Sequence, residues 1–259
     1  GRTTLAGEGL QHQAGQSLLM ASYVPNCVAY DPTFSYEIAI IVQEGLRRMI
    51  ENQEDVFYYI TCMNEKYQHP EMPKNAEEGI LKGMYLFKES DQKAKLKVQL
   101  LSSGAIFNEA LAAVTLLADD FDVHADIWGV PGISQLHRDG VDVERHNRLH
   151  PTKKVKTSYV ADCLASRKGP VITATDYVRA YGELIRPYVP GSYTVLGTDG
   201  FGRSDKRDAL RKFFEVDRYY IATTALHALA QSGDIPMSKV EAAMKKYGID
   251  SSKPNPIGV

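Results

Sequence analysis

Gly7-Glu8-Gly9-Leu10-Gln11-His12 brings a carboxylate, an amide and an imidazole together on backbone freed by two glycines. Such a loop can aim polar groups into a cleft, and histidine changes protonation near neutral pH, as proton-transfer steps require. Taken alone, the segment also reads as a surface loop. Asp199-Gly200-Phe201-Gly202-Arg203-Ser204 follows a predicted strand, where open α/β sheets place ligand crevices. It reads equally as a tight glycine turn with Ser204 or Asp205 capping the next helix. His146 and His150 sit four apart and can share a helix face as metal ligands, but Arg145 and Arg148 flank them, so a solvated face is the default. No GxxxxGK[ST], GxSxG or HExxH pattern occurs, and Asp205 stands where a GxGxxG fingerprint needs its third glycine.

The elements that must position these residues follow from periodicity. Gly1 to Ser17 shows no sustained period and reads as a long loop, with ordered structure expected to begin near Cys27. Strands are predicted at Asn26–Tyr30 and Val56–Thr61, with a helix between them from Phe34 to Glu51, where Ile38, Ile41, Val42 and Leu46 recur at helical spacing. Lys88 to Lys95 carries no large apolar side chain and is the candidate linker. Beyond it, strands at Val98–Leu101, Ala125–Val130, Val171–Ala174 and Thr194–Gly197 alternate with helices at Ile106–Phe121, Ser134–His150 and Tyr177–Tyr188. Helices at Arg207–Phe214, Asp217–Gln231 and Ser238–Tyr247 complete the chain. This alternation predicts an α/β fold with a mostly parallel sheet covered on both faces. Leu100, Ile127, Ile172 and Val195 are its expected core.

Composition narrows the function classes. The 259 residues are 44% hydrophobic and 24% charged, as in globular proteins. Thirty basic residues against 32 acidic ones give a net charge of -2, which offers no basic excess for a nucleic-acid backbone. No apolar run approaches the ~20 residues of a membrane span. Three scattered cysteines, Cys27, Cys62 and Cys163, fit a reducing cytoplasm better than a disulfide framework.

Several longer motifs together resemble one family. They are Gly1-Arg2-Thr3-Thr4-Leu5 with Gly7 to His12, Tyr30-Asp31-Pro32, Tyr58-Tyr59-Ile60-Thr61 with Asn64-Glu65, and Leu196 to Asp205. The chain resembles, over its whole length, the homodimeric thiamine-diphosphate-dependent pyruvate dehydrogenase subunits of bacterial complexes, which are transketolase-like. The resemblance implies a remnant of a pyrimidine-binding domain at residues 1–92 and a transketolase C-terminal-like domain at 93–259. It implies decarboxylation of pyruvate on thiamine diphosphate and reductive acetylation of a lipoyl group on a dihydrolipoyl acetyltransferase core. The alternatives are a non-catalytic dimerisation or assembly domain, or a subunit for a different 2-oxo acid. Expected partners are a second copy of the subunit, that core and upstream domains outside this chain. The family's Gly-Asp-Gly motif for Mg²⁺ and the diphosphate is absent, and its activating glutamate would lie upstream of Gly1. Neither cofactor nor metal is therefore expected on this chain alone, which reads as a proteolytic or engineered fragment or a split-gene product. His12 is assigned near the substrate adduct, with Glu8 and Gln11 as neighbours that shape the loop. Family members follow that histidine with acidic-Asp-Gly-His-Ser, whereas Gln13-Ala14-Gly15-Gln16-Ser17 follows here.

Overall fold

Runs of β-branched and aromatic residues make seven short strands, and amphipathic segments wrap them. A computed structural model describes residues 1–259. The opening segment holds a 3-10 turn at Leu10–His12 and α1 (Ser17–Ser22). Next come β1 (Cys27–Tyr30), α2 (Ser35–Leu46) continued by a π-helical turn at Arg47–Glu51, β2 (Phe57–Ile60) and α3 (Glu77–Lys82). Then follow β3 (Tyr85–Lys88), β4 (Lys97–Ser102), α4 (Ile106–Phe121), β5 (His124–Gly129), α5 (Ile133–Leu149) and α6 (Tyr159–Leu164). The chain continues through β6 (Val171–Ala174), α7 (Arg179–Glu183), β7 (Tyr193–Leu196), α8 (Arg207–Phe213), α9 (Arg218–Gln231) and α10 (Met237–Tyr247).

β1 and β2 pair in parallel as a separate two-stranded sheet, and the second sheet runs β3-β5-β4-β6-β7. All its pairings are parallel except β3 with β5. β3 precedes the linker expected at Lys88–Lys95 yet forms the edge of this second sheet. Leu100, Ile127, Ile172 and Val195 are buried in it. On one face α4 and α9 build the larger core around Phe107, Leu117, Leu226 and Leu229. On the other, Leu136, Val160, Tyr177 and Tyr181 from the α5 to α7 side pack beside Leu18 of α1. Burying both faces explains why the strands read as continuous apolar runs rather than alternating ones.

Two expectations need correction. The predicted helix Tyr177–Tyr188 breaks into α7 and a 3-10 turn at Arg186–Tyr188, because Pro187 removes a donor and its ring crowds the carbonyl one turn back. The opening segment is not a loose leader before Cys27: Arg2, Thr3 and Thr4 are buried, and α1 follows.

Glu37 ties α2 to β3. It accepts the Phe34 N–H at 2.8 Å and the Tyr85 hydroxyl at 2.7 Å, together with the Thr33 N–H. Burial outweighs these donors and pushes its carboxyl up to about 7. The folded state thus holds this proton more tightly than the unfolded chain does, so the group favours folding most below pH 4.5 and less as pH rises toward 7. Melting temperature followed against pH should fall across that window, with on the order of 3 kcal/mol at stake. Glu37→Gln should flatten the fall; an unchanged slope in the variant would contradict the assignment.

Candidate functional site

Strand order reverses around β4, with β5 on one side and β6 on the other. Loops leaving such a pair part in opposite directions and open a crevice at the carboxyl ends. Here the chain fills that crevice itself. Ser103, just past β4, donates its hydroxyl to Asp31 Oδ2 at 2.6 Å, and Thr61, just past β2, donates to Asp31 Oδ1 at 2.6 Å. Gly104 has φ +54°, and a Cβ there would lie 2.8 Å from Asp31 Oδ2, so a larger residue would displace the carboxylate. Asp176, two residues past β6, accepts the Thr3 N–H at 2.9 Å and the Thr4 hydroxyl at 2.7 Å. Its main-chain carbonyl accepts Arg2 N–H at 3.1 Å and the Thr198 hydroxyl at 2.9 Å. Burial pushes the Asp31 carboxyl up, against the Ser103 and Thr61 hydroxyls that hold it down.

Charged side chains clamp the same segment from the C-terminal helices. Arg207 donates to the Thr4 carbonyl at 2.6 Å, and Arg211 Nε reaches Thr3 Oγ1 at 3.4 Å. Arg211 also forks between Glu65 and Glu109, and Arg218 binds Glu109 through both Nε (2.8 Å) and Nη2 (2.9 Å). Burial raises the Glu109 carboxyl, but Arg218 and Arg211 outweigh it and leave the group below the usual carboxylate range. Residues from the opening segment, the loop after β2, α4, α8 and the start of α9 are thereby locked together.

Above this floor opens a cleft of about 280 Å³, walled by Thr4, His12, Ala14, Thr61, Cys62 and Tyr177 among others. His12 closes its 3-10 turn with its N–H on the Gly9 carbonyl at 3.1 Å and presents an exposed imidazole to the cleft. Glu8 and Gln11 are exposed and lie outside the lining. Gln13 fastens the loop: its Oε1 accepts the Arg203 N–H at 2.9 Å, and its Nε2 donates to the Arg203 carbonyl. The glycine-rich 199–205 segment thus serves as the loop's anchor, and Asp199 Oδ1 accepts the Arg179 N–H at 2.8 Å at the start of α7. Burial pushes the Tyr177 hydroxyl far up, so it remains a proton-bearing group at neutral pH. The cleft therefore sets the His12 imidazole beside Thr4 and Thr61, whose hydroxyls are already committed to the buried carboxylates of Asp176 and Asp31. A larger cleft of about 420 Å³ beside β7 contains none of His12, Glu8 and Gln11, and its Lys253 is paired with Glu215 at 2.8 Å.

A thiamine diphosphate site needs donors for Mg²⁺ and the diphosphate. No group of three or more His, Cys, Asp or Glu side chains is placed to hold a metal. The two buried carboxylates nearest the cleft, Asp31 and Asp176, are already engaged by hydroxyl and N–H donors. The donor set in this chain does not fit that group. Sequence reasoning missed Asp31, Asp176, Glu65, Arg207, Arg211 and the clamp formed by Gln13. Some lie in the motifs quoted above, but nothing local announces their partners.

Comparison with known proteins gives the chain its relatives. The pyruvate dehydrogenase E1 component middle-domain family model matches residues 1–70, and the transketolase-like C-terminal domain model matches residues 83–217. A pyruvate dehydrogenase E1 component from Pseudomonas aeruginosa is 58% identical over 258 residues, 99% of this chain and 29% of that protein. One from Cupriavidus necator is 56% identical over 260 residues, 100% of this chain and 29% of that protein. The chain thus spans less than a third of the length of these relatives. A transketolase structure from Campylobacter jejuni superposes with a TM-score of 0.61 at 19% identity, over 86% of this chain and 29% of that one, and supports the fold alone. With a C-terminal-domain model matching more than half of its length and 99–100% of it aligned to part of these relatives, the chain belongs to the transketolase-like family and matches a C-terminal portion of its pyruvate dehydrogenase E1 components.

Proposed function

We propose that this chain is the C-terminal portion of a cytoplasmic thiamine-diphosphate-dependent pyruvate dehydrogenase, which decarboxylates pyruvate and passes the acetyl group to a lipoyl group of an acetyltransferase core. The observation that carries the reading is the His12 cleft, seated on a floor that the chain's own buried carboxylates make rigid. In this reading residues outside the chain hold the cofactor and Mg²⁺. His12 faces the substrate and exchanges a proton at a ring nitrogen with an oxygen of the bound 2-oxo acid. Glu8 and Gln11 set the loop's path without touching substrate. The division at 92/93 belongs to the same proposal, as does pairing with a second copy of the subunit.

The test uses two preparations. The complete subunit, loaded with thiamine diphosphate and Mg²⁺, should release CO₂ from pyruvate and acetylate an added lipoyl domain. The 259-residue chain alone should show no Mg²⁺-dependent heat of cofactor binding. Absence of pyruvate decarboxylation by the complete subunit overturns the activity. Micromolar cofactor binding by the isolated chain overturns the assignment of that site to other residues.

An assembly role has its own observation. Val42, Leu46 and Ile50 on α2 and its π-helical extension, with Phe57 and Tyr59 on β2, leave large apolar side chains exposed around the two-stranded sheet. Exposed apolar side chains on both the helix and the strand fit covering surfaces better than solvent.

A further inference from the structure

Residues 145–156 contain five Lys or Arg and no Asp or Glu, in a chain whose net charge is -2. Cations in the last turn of a helix suit its dipole, which accounts for Arg145 and Arg148 at the end of α5. It does not account for Lys153, Lys154 and Lys156, which follow the helix on an exposed loop. That loop is built rather than loose. Asn147 Nδ2 donates to the Lys156 carbonyl at 2.9 Å, and Asn147 Oδ1 accepts the Lys156 N–H at 2.9 Å. The Lys153 N–H donates to the His150 carbonyl at 3.0 Å, and the His146 and His150 rings stack with centroids 4.3 Å apart.

Arg148 meets Glu144 at 3.7 Å, but Arg145, Lys153, Lys154 and Lys156 have no carboxylate within salt-bridge reach. Apolar side chains lie among them: Leu149 is 53% exposed and Val155 72% exposed. On the neighbouring surface a shallow cleft of about 480 Å³ is lined by Val143, Asn147, Ala161, Pro187 and Tyr188, together with Glu144, whose charge is met by Arg148. Unpaired charge on a preorganised loop, beside a recess of mixed character where Tyr188, Pro187 and Val143 offer apolar contact, is the anatomy of a protein-docking surface: the charges steer and the apolar part of the recess anchors.

We infer that the 145–156 loop and the adjoining cleft form a docking surface for an acidic protein segment that carries an apolar or aromatic anchor. The Leu149 and Val155 side chains favour a polypeptide over a phosphate polymer, because they reward apolar contact that a sugar-phosphate backbone does not offer.

The test titrates the full chain with a fluorescein-labelled oligoglutamate peptide bearing one central Trp, followed by fluorescence anisotropy at low ionic strength. Lys153→Glu/Lys154→Glu/Lys156→Glu should weaken binding at least about tenfold. Lys239→Glu/Lys245→Glu on α10, which changes charge elsewhere, should alter it by less than about twofold. Added salt should weaken the parent's binding, and replacing the Trp of the peptide by Ser should weaken it further. Circular dichroism of both variants should match the parent, since all five side chains are exposed. Absence of peptide binding, or equal binding by the loop variant, overturns the proposal. An oligothymidylate of equal charge binding more tightly than the peptide also overturns it, in favour of a nucleic-acid surface.

Discussion

In the complete subunit, His12→Ala is expected to lower kcat by about 10²–10⁴-fold while leaving cofactor affinity almost unchanged. The geometry makes the experiment discriminating. His12 is exposed at the wall of the cleft, and its main chain alone closes the 3-10 turn, through the N–H that donates to Gly9. Alanine keeps that bond, so melting temperature should hardly move, as for surface substitutions that change stability by less than about 0.5 kcal/mol. A loop histidine without a chemical role would give the reverse pattern: normal turnover whatever the stability. His12→Gln keeps a polar side chain but cannot carry the proton, and should resemble alanine in kcat. Near-normal turnover in either variant removes His12 from the site.

Arg211→Ala should unfold the protein far more readily. Arg211 and Glu109 have side chains only 7% and 8% exposed, and the arginine is the one group that touches Thr3, Glu65 and Glu109 together. Removing one member of a buried ionic network typically costs about 3–5 kcal/mol, because its partners stay buried with their charge uncompensated. For a chain of this size that corresponds to a fall of roughly 6–20 °C in melting temperature. Arg211→Lys should recover only part of the loss, since a single ammonium cannot fork between two carboxylates. Amide exchange at Thr3 and Thr4 should accelerate in the alanine variant before global unfolding sets in. A melting temperature within about 2 °C of the parent would show that Arg218 alone satisfies Glu109.

The sequence was legible where a long apolar period set the structure. The predicted spans of α4 and β6 coincide with the observed ones, α9 and α10 differ by a residue at one end, and α5 is shifted by a residue at both. α1, α3 and α6 were missed because six residues are too few for a helical period to declare itself. β3 was missed because Tyr85-Leu86-Phe87-Lys88 becomes a strand by pairing with β5, a decision taken some forty residues away. The cleft divides in the same way. His12 stands in a glycine-spaced motif that invites attention. Asp31 gains its meaning from Ser103, 72 positions distant, and Arg211 from Thr3, 208 positions distant. Contacts of that range leave no periodic trace in a single sequence.

The plugged crevice has a consequence for how this fold can change. In many parallel sheets the switch point is vacant ground that a new metabolite can colonise through a few loop substitutions. Here Thr3 and Thr4 occupy it as a tethered, intramolecular ligand, held by Asp176 and roofed by Arg207. A free solute competing for that place would face an occupant at high effective concentration, attached to the chain it stabilises. Any effector evolving there must therefore first evict part of the protein's own backbone, and its affinity would be set against folding stability. Innovation by this domain is channelled toward its outer surfaces, while the centre is reserved for self-recognition.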